Sequence, residues 1–216
     1  MTADTPTLPA CGGVRLLLVR HGETPSNVRR ALDTVPPGPS LTERGRRQAE
    51  ALPERVAKEP VHAVHASRAL RAQETAAPLA RQRGLDVRVT DGMQEIYVGE
   101  LEGTTDPESR RRFEDIYARW HLGKLDEPMP GGETGRQALT RFVEAARQAV
   151  DPLTEGTLVL VSHGAIVRLV AGYLAVNVDA QRANAAYLPN TGTIALDASP
   201  MGWFCVHWDG LDGAPG

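Results

Sequence analysis

Two segments of this 216-residue chain put a histidine and a glycine directly after an apolar run: "RLLLVRHGETPSN", Arg15 to Asn27, and "LVLVSHGAIVR", Leu158 to Arg168. Each histidine then stands at the end of a strand just before a helix N-terminus, whose free N–H groups and positive dipole end suit an anion. Arg20 precedes His21, and the planar fork of a guanidinium matches two phosphate oxygens. A third segment, "SRALRAQETA" from Ser67 to Ala76, puts Arg71 on the first turn of a helix. Beside Arg20 it is a candidate second clamp for a phosphoryl group. One histidine at a strand end is ordinarily a polar loop residue, so the repetition carries the argument. His62 and His65, three apart on a strand, face opposite sides and make a poor ligand pair. His121 and His207 have no supporting context. No Cys-x-x-Cys and no zinc-like spacing occurs, so neither a metal site nor a cofactor is implied.

The elements that must position these groups are short. Strands are expected at Val14–Val19, Val61–Ala66, Asp86–Val89, Leu158–Ser162, Thr193–Ala198 and Trp203–His207. The first and fourth are near-continuous apolar runs, as in strands buried on both faces. The last two, joined by "SPMG", read as a hairpin near a sheet edge. Helices are expected at Thr42–Lys58, Ala69–Arg83, Asp106–Trp120, Glu133–Val150 and Ala165–Ala175. Thr24 can cap a further helix with Pro25 at its first position. The alternation predicts one α/β domain over residues 14–209, a mostly parallel sheet with helices on both faces. Residues 1–13 and 210–216, rich in Pro and Gly, are expected to be loose. In such a sheet ligands bind at the carboxyl ends of the strands, where His21, His163 and Arg71 are all expected. The helix N-termini there suit an anion.

Composition narrows the alternatives. Hydrophobic residues are 41% and charged residues 24%, as in a globular domain, and the net charge of −3 disfavours a nucleic-acid partner. The two cysteines, Cys11 and Cys205, form no disulfide framework, which fits a cytoplasmic protein. "MTADTPTLPACGG" is not a signal peptide, and the apolar runs are too short for a membrane span.

"RHGET" with Asn27, "LTERGRRQA", "SRALRAQETA", "QEIYVGELEG", "PGGET" and "VSHGAIVR" resemble, in this order, the histidine phosphatase superfamily, the phosphoglycerate-mutase-like phosphatases. The resemblance runs from about Arg15 to Thr193. It implies a phosphoglycerate-mutase-like fold and His21 as the nucleophile that becomes phosphorylated. It implies a phosphate pocket of Arg20, Arg71 and His163, with Asn27 as an added contact. It also implies Glu95 as the acid that protonates the leaving oxygen. Without it, Glu95 is one carboxylate among Glu95, Glu100 and Glu102, each ordinarily solvated. Gln94 stands where the family usually has Leu. The implied activity is hydrolysis of a phosphate monoester of a small metabolite.

Two alternatives remain. A cofactor-dependent phosphoglycerate mutase would follow the acid with Arg-His-Tyr-Gly, where this chain has Ile96-Tyr97-Val98-Gly99. Mutases also tend to have Asn or Ser where this chain has Ala165. A non-catalytic phosphate-binding or interaction domain would typically lack the nucleophile or an arginine. Specificity is expected from Leu32–Ser40 and Thr104–Pro130. Arg110, Arg111 and Arg112 are consecutive and fan around a helix, so one of them, or Arg119, could face a second anionic group.

Overall fold

In the computed structural model, which describes residues 6–10 and 12–211, the apolar runs become strands of one sheet. Residues 1–5, Cys11 and 212–216 lie outside the described residues, and with them parts of the two expected loose termini. The elements in chain order are β1 (Val14–Arg20), α1 (Pro25–Arg29), α2 (Glu43–Arg55), β2 (Val61–Ala66), α3 (Leu70–Arg83) and β3 (Val87–Val89). A 3₁₀ turn at Gly99–Leu101 precedes α4 (Pro107–His121), α5 (Gly135–Val150), β4 (Gly156–Ser162), α6 (Gly164–Leu174), α7 (Ala180–Ala185), β5 (Thr193–Ser199) and β6 (Gly202–Trp208).

The six-stranded sheet has the order β3-β2-β4-β1-β5-β6. β3, β2, β4 and β1 are parallel; β5 runs antiparallel to β1 and forms the edge hairpin with β6. Alternate residues of the central strands serve two cores. Leu17, Val19, Val159 and Val161 pack with Leu52 of α2 and Ala72, Ala76 and Leu79 of α3. Leu16, Leu18, Leu158 and Leu160 belong to the larger core with Phe142 of α5 and Ile166, Val167 and Val170 of α6. The strands are apolar on both faces because both faces are covered.

Helix ends differ from the sequence expectation where side chains intervene. Thr42 caps α2 by accepting from the Gly45 N–H. That helix stops at Arg55 rather than Lys58, and Arg83 Nη2 takes the carbonyls of Val56 and Ala57. Helix α5 starts after Thr134, which forms a capping box with Gln137, so Glu133 lies outside it. Helix α7, capped by Asp179, was not expected; its six residues are too few for a periodic signal. Near the N-terminus, Leu8 is buried and its carbonyl accepts from Trp203 Nε1 at 2.9 Å. Among the described residues no helix is long and apolar enough to cross a membrane.

Candidate active site

Sheet register assembles the site. β1 and β4 are adjacent and parallel with Arg20 opposite Ser162, so the next residues, His21 and His163, emerge side by side. Their ring centroids are 5.2 Å apart, edge to face. β2 flanks β4 with Ala66 opposite Val161, which brings Ser67 to the same edge. Three neighbouring parallel strands thus deliver Ser67, His163 and His21 in a row.

A hydrogen bond fixes the tautomer of His21. His21 Nδ1 lies 2.6 Å from the Gly22 carbonyl, which can only accept, so Nδ1 carries the hydrogen and Nε2 the free lone pair. Ser67 Oγ accepts from the Ala69 N–H and lies 2.7 Å from His163 Nε2. The hydroxyl still has its hydrogen and one lone pair for Nε2, so this contact suits either tautomer of His163 and leaves Nδ1 as the ring nitrogen without a protein partner. Both rings are almost fully buried. Burial, then Arg71, then Arg20, hold the His21 pKa well below 6.5. Burial and Arg71 lead the same displacement at His163.

The turn after β1 is fixed by backbone packing. A Cβ on Gly22 would lie 2.7 Å from the Gly45 carbonyl, and one on Gly45 would lie 2.1 Å from the Glu23 carbonyl. Only glycines admit this approach of the β1–α1 turn to the start of α2. Thr75 Oγ1 accepts from the Gly22 N–H and Gln48 Oε1 from the Glu23 N–H. Thr24 caps α1 in a capping box with Asn27, whose Oδ1 also accepts from Asn190. The Nδ2 amide is the group of Asn27 left to face a ligand.

Both arginines lie close enough to the histidines to act on their charge. Arg71 is 1% exposed; its Nη2 donates to the Asp33 carbonyl and its Nη1 lies 3.6 Å from the Asp33 carboxylate. Arg20 Nη1 donates to the Leu188 carbonyl and to Tyr187 Oη, with the Tyr187 ring 5.7 Å away. Glu95 enters from the segment after β3. Its Oε1 accepts from the N–H groups of Ile96 and Ile166, and its Oε2 from Ala165, so the carboxylate sits on the first turn of α6 beside His163. Oε1 has both lone pairs occupied; Oε2 keeps one for a proton.

Sequence reasoning missed several supports. Asn190 donates to the His21 carbonyl, and Thr191, at φ 57°, gives its N–H to the Arg20 carbonyl. "PNTG" reads only as a turn, and nothing in it points across to β1. The two expected specificity segments do meet: Leu32 exchanges backbone hydrogen bonds with Gly103 and Thr104, and Glu102 accepts from the Thr34 N–H and hydroxyl. Arg110 donates to the Arg30 carbonyl, whereas Arg119 is paired bidentately with Glu127.

Outside the site, His65 bonds Thr90 Oγ1, and His121 lies edge-on to Tyr117, with its pKa pushed down to about 4 by burial and by Arg168. Folded His121 binds its proton only near pH 4, whereas the unfolded chain binds it near 6.5. Between these values the unfolded state holds more protons, so stability falls as pH drops through the window. The displacement corresponds to about 3 kcal/mol, and the lowered values of His21, His163 and His65 act in the same direction. The urea midpoint at about pH 5 should therefore lie clearly below that at about pH 7.5. Equal midpoints would contradict it.

A family model described as the histidine phosphatase superfamily (branch 1) matches residues 16–210. The chain is 33% identical over 215 residues to the PE-PGRS family protein PE_PGRS11 of Mycobacterium tuberculosis, covering 91% of this chain and 36% of that protein. It spans about half or less of the mycobacterial relatives it matches, 36% to 48% of their length. It is 32% identical over 162 residues to the adenosylcobalamin/alpha-ribazole phosphatase of Salmonella typhimurium, covering 74% of this chain and 79% of that one. Among solved structures, a mycobacterial glucosyl-3-phosphoglycerate phosphatase in complex with VO3 superposes with a TM-score of 0.77 at 24% identity, over 90% of this chain and 98% of the other. An α/β fold in which adjacent parallel strands present paired His-Gly turns, with a family model spanning nearly the whole sheet, places this chain in the histidine phosphatase superfamily.

Proposed function

We propose that the chain hydrolyses a phosphate monoester of a small metabolite through a phosphohistidine on His21. One observation carries this reading. With His163 carrying its hydrogen on Nδ1, three buried donors of the site, Arg20 Nε, Arg71 Nη1 and His163 Nδ1, have no hydrogen-bond acceptor in the protein (Arg71 Nη1 has only the Asp33 carboxylate at 3.6 Å), and they lie near the ring whose Nε2 bears a free lone pair. Buried N–H groups without partners are costly, and an anion with several acceptor oxygens satisfies all three.

The chemistry follows from these atoms. His21 Nε2 attacks phosphorus in line, and the bond to the ester oxygen breaks. Arg20, Arg71 and His163 stabilise the charge on the equatorial oxygens, while the N-terminal turn of α1 adds its dipole. A proton on Glu95 Oε2 passes to the leaving oxygen. The resulting carboxylate takes a proton from water, whose oxygen attacks phosphorus and breaks the P–N bond. His21 is held neutral, as the first step requires. The positions that follow the acid in mutases with Arg-His-Tyr hold Ile96 and Val98, both fully buried, which favours transfer to water over transfer to a second substrate hydroxyl.

The cationic work is done by guanidinium groups, and among the described residues no cluster of His, Cys, Asp or Glu is arranged to hold a metal ion. Activity should therefore survive EDTA, and vanadate, which adopts the five-coordinate geometry of the transition state, should inhibit. Loss of turnover on chelation, restored by a divalent ion, would overturn the metal-independent reading. Turnover of an aryl phosphate by the wild type separates this enzyme from a domain that only binds phosphate.

A further inference from the structure

The segment that carries Glu95 belongs to no helix or strand between Val89 and Gly99, so its carbonyls need partners from elsewhere. One side chain supplies partners for three of them. Arg141, on the second turn of α5, gives Nη1 to the carbonyls of Gly92 and Gln94, both at 2.7 Å, and Nη2 to the carbonyl of Glu95 at 2.9 Å. Its remaining donors go to Glu133, Nη2 to Oε1 at 2.6 Å and Nε to Oε2 at 3.0 Å. All five N–H bonds of the guanidinium are thus used. Glu133 completes the strap: its Oε1 accepts from the Tyr97 N–H at 2.8 Å, and its own N–H donates to the Tyr97 carbonyl. The pair is mostly buried, with side chains 18% and 13% exposed. Gly92 belongs to the same fit, because a Cβ there would lie 2.5 Å from the Arg141 carbonyl.

We infer that Arg141, braced by Glu133, is a positioning residue for Glu95: it holds the backbone on both sides of Glu95 so that the carboxylate meets the first turn of α6 with Oε2 turned to the leaving oxygen. This rests on the assignment of Glu95 as the acid. The strap grips the carbonyls of Gln94 and Glu95 themselves, the two peptide units that set where the Glu95 side chain starts. The opposite side of the segment is tied to β4 by Ser162 Oγ, which donates to the Met93 carbonyl at 2.6 Å. Displacement of a catalytic group by about 1 Å can cost about 10²-fold in rate. Lysine offers three donors in place of five and no fork, so it cannot serve three carbonyls and brace a carboxylate at once.

The test is a double-mutant cycle read in single-turnover phosphorylation of His21, with an alkyl phosphate and nitrophenyl phosphate. Arg141→Lys and Glu133→Gln should slow the alkyl ester at least about 10-fold more than the nitrophenyl ester. Vanadate affinity should hardly change, because the phosphate donors are untouched. In a Glu95→Gln background neither substitution should add further selectivity. A merely structural role predicts equal losses with both esters, with weaker vanadate binding and a lower Tm, and that outcome would overturn the inference. Selectivity that persists undiminished in the Glu95→Gln background would overturn it too. If Glu95→Gln itself shows no selectivity, the acid assignment fails, and the role of Arg141 with it.

Discussion

His21→Ala should abolish turnover, with a loss of at least about 10⁴-fold expected when a nucleophile is removed from a covalent mechanism. Wild-type protein mixed briefly with radiolabelled substrate and quenched in alkali should carry acid-labile phosphate on His21, and the alanine variant should carry none. The assignment of His21 over His163 is a statement about lone pairs. His163 has Nε2 held against the Ser67 hydroxyl, and in the tautomer with its hydrogen on Nδ1 it can donate to phosphate but has no free pair to attack with. His21 has the reverse arrangement, with Nδ1–H anchored on Gly22 and Nε2 open. Label recovered from His163 or from Ser67 would show that these roles are wrong. The substitution also removes a buried imidazole that resists protonation, so His21→Ala should lose less stability than wild type between about pH 7.5 and about pH 5. Inactivity that came from unfolding would show the opposite.

What could be read in the sequence divides by range. The His-Gly turns, the strands before them and the helix caps are local patterns, and parallel pairing brings two such turns together whenever their strands are neighbours. That pairing puts His21 beside His163, and the start of α3 brings Arg71 to the same edge. Glu95 is different. Its partners Ala165 and Ile166 lie about 70 residues away, and its own segment has no periodicity, so only the resemblance singled it out from Glu100 and Glu102. The structure separates two of them: Glu102 is held by Thr34, whereas Glu95 sits on α6. Ser67, Asn190 and Arg141 escaped notice for the same reason. Each acts through a carbonyl, an amide or a ring nitrogen far along the chain, and a lone Ser, Asn or Arg in a polar stretch is ordinarily solvated. The short helix α7 and the stop of α2 at Arg55 depend on tertiary partners, which outweigh local propensity.

Glu95→Gln should slow release of poor leaving groups far more than good ones. An alkoxide leaves badly and needs a proton as the ester bond breaks; nitrophenolate leaves well and needs little help. General acid assistance is worth about 10²–10⁴-fold, so the loss with an alkyl phosphate should fall in that range and the loss with nitrophenyl phosphate well below it. The geometry sharpens the expectation. Oε1 and Oε2 accept three backbone N–H groups, and glutamine can offer only one oxygen to them. If that oxygen keeps the place of Oε1, its NH₂ group faces the Ala165 N–H, so the variant loses the acidic proton and one anchoring contact together. Glu95→Asp, which keeps a carboxyl but is shorter by one methylene, should recover little, because the backbone donors of α6 stay where they are. The comparison requires that transfer to His21 limits the rate for both esters. If hydrolysis of phosphohistidine limits instead, steady-state rates fall together, because the same carboxylate must then take the proton from water. The burst of first product separates the two cases: a burst that survives with nitrophenyl phosphate and disappears with the alkyl ester places the loss in the first step. Equal losses in the single-turnover measurement would remove Glu95 as the acid.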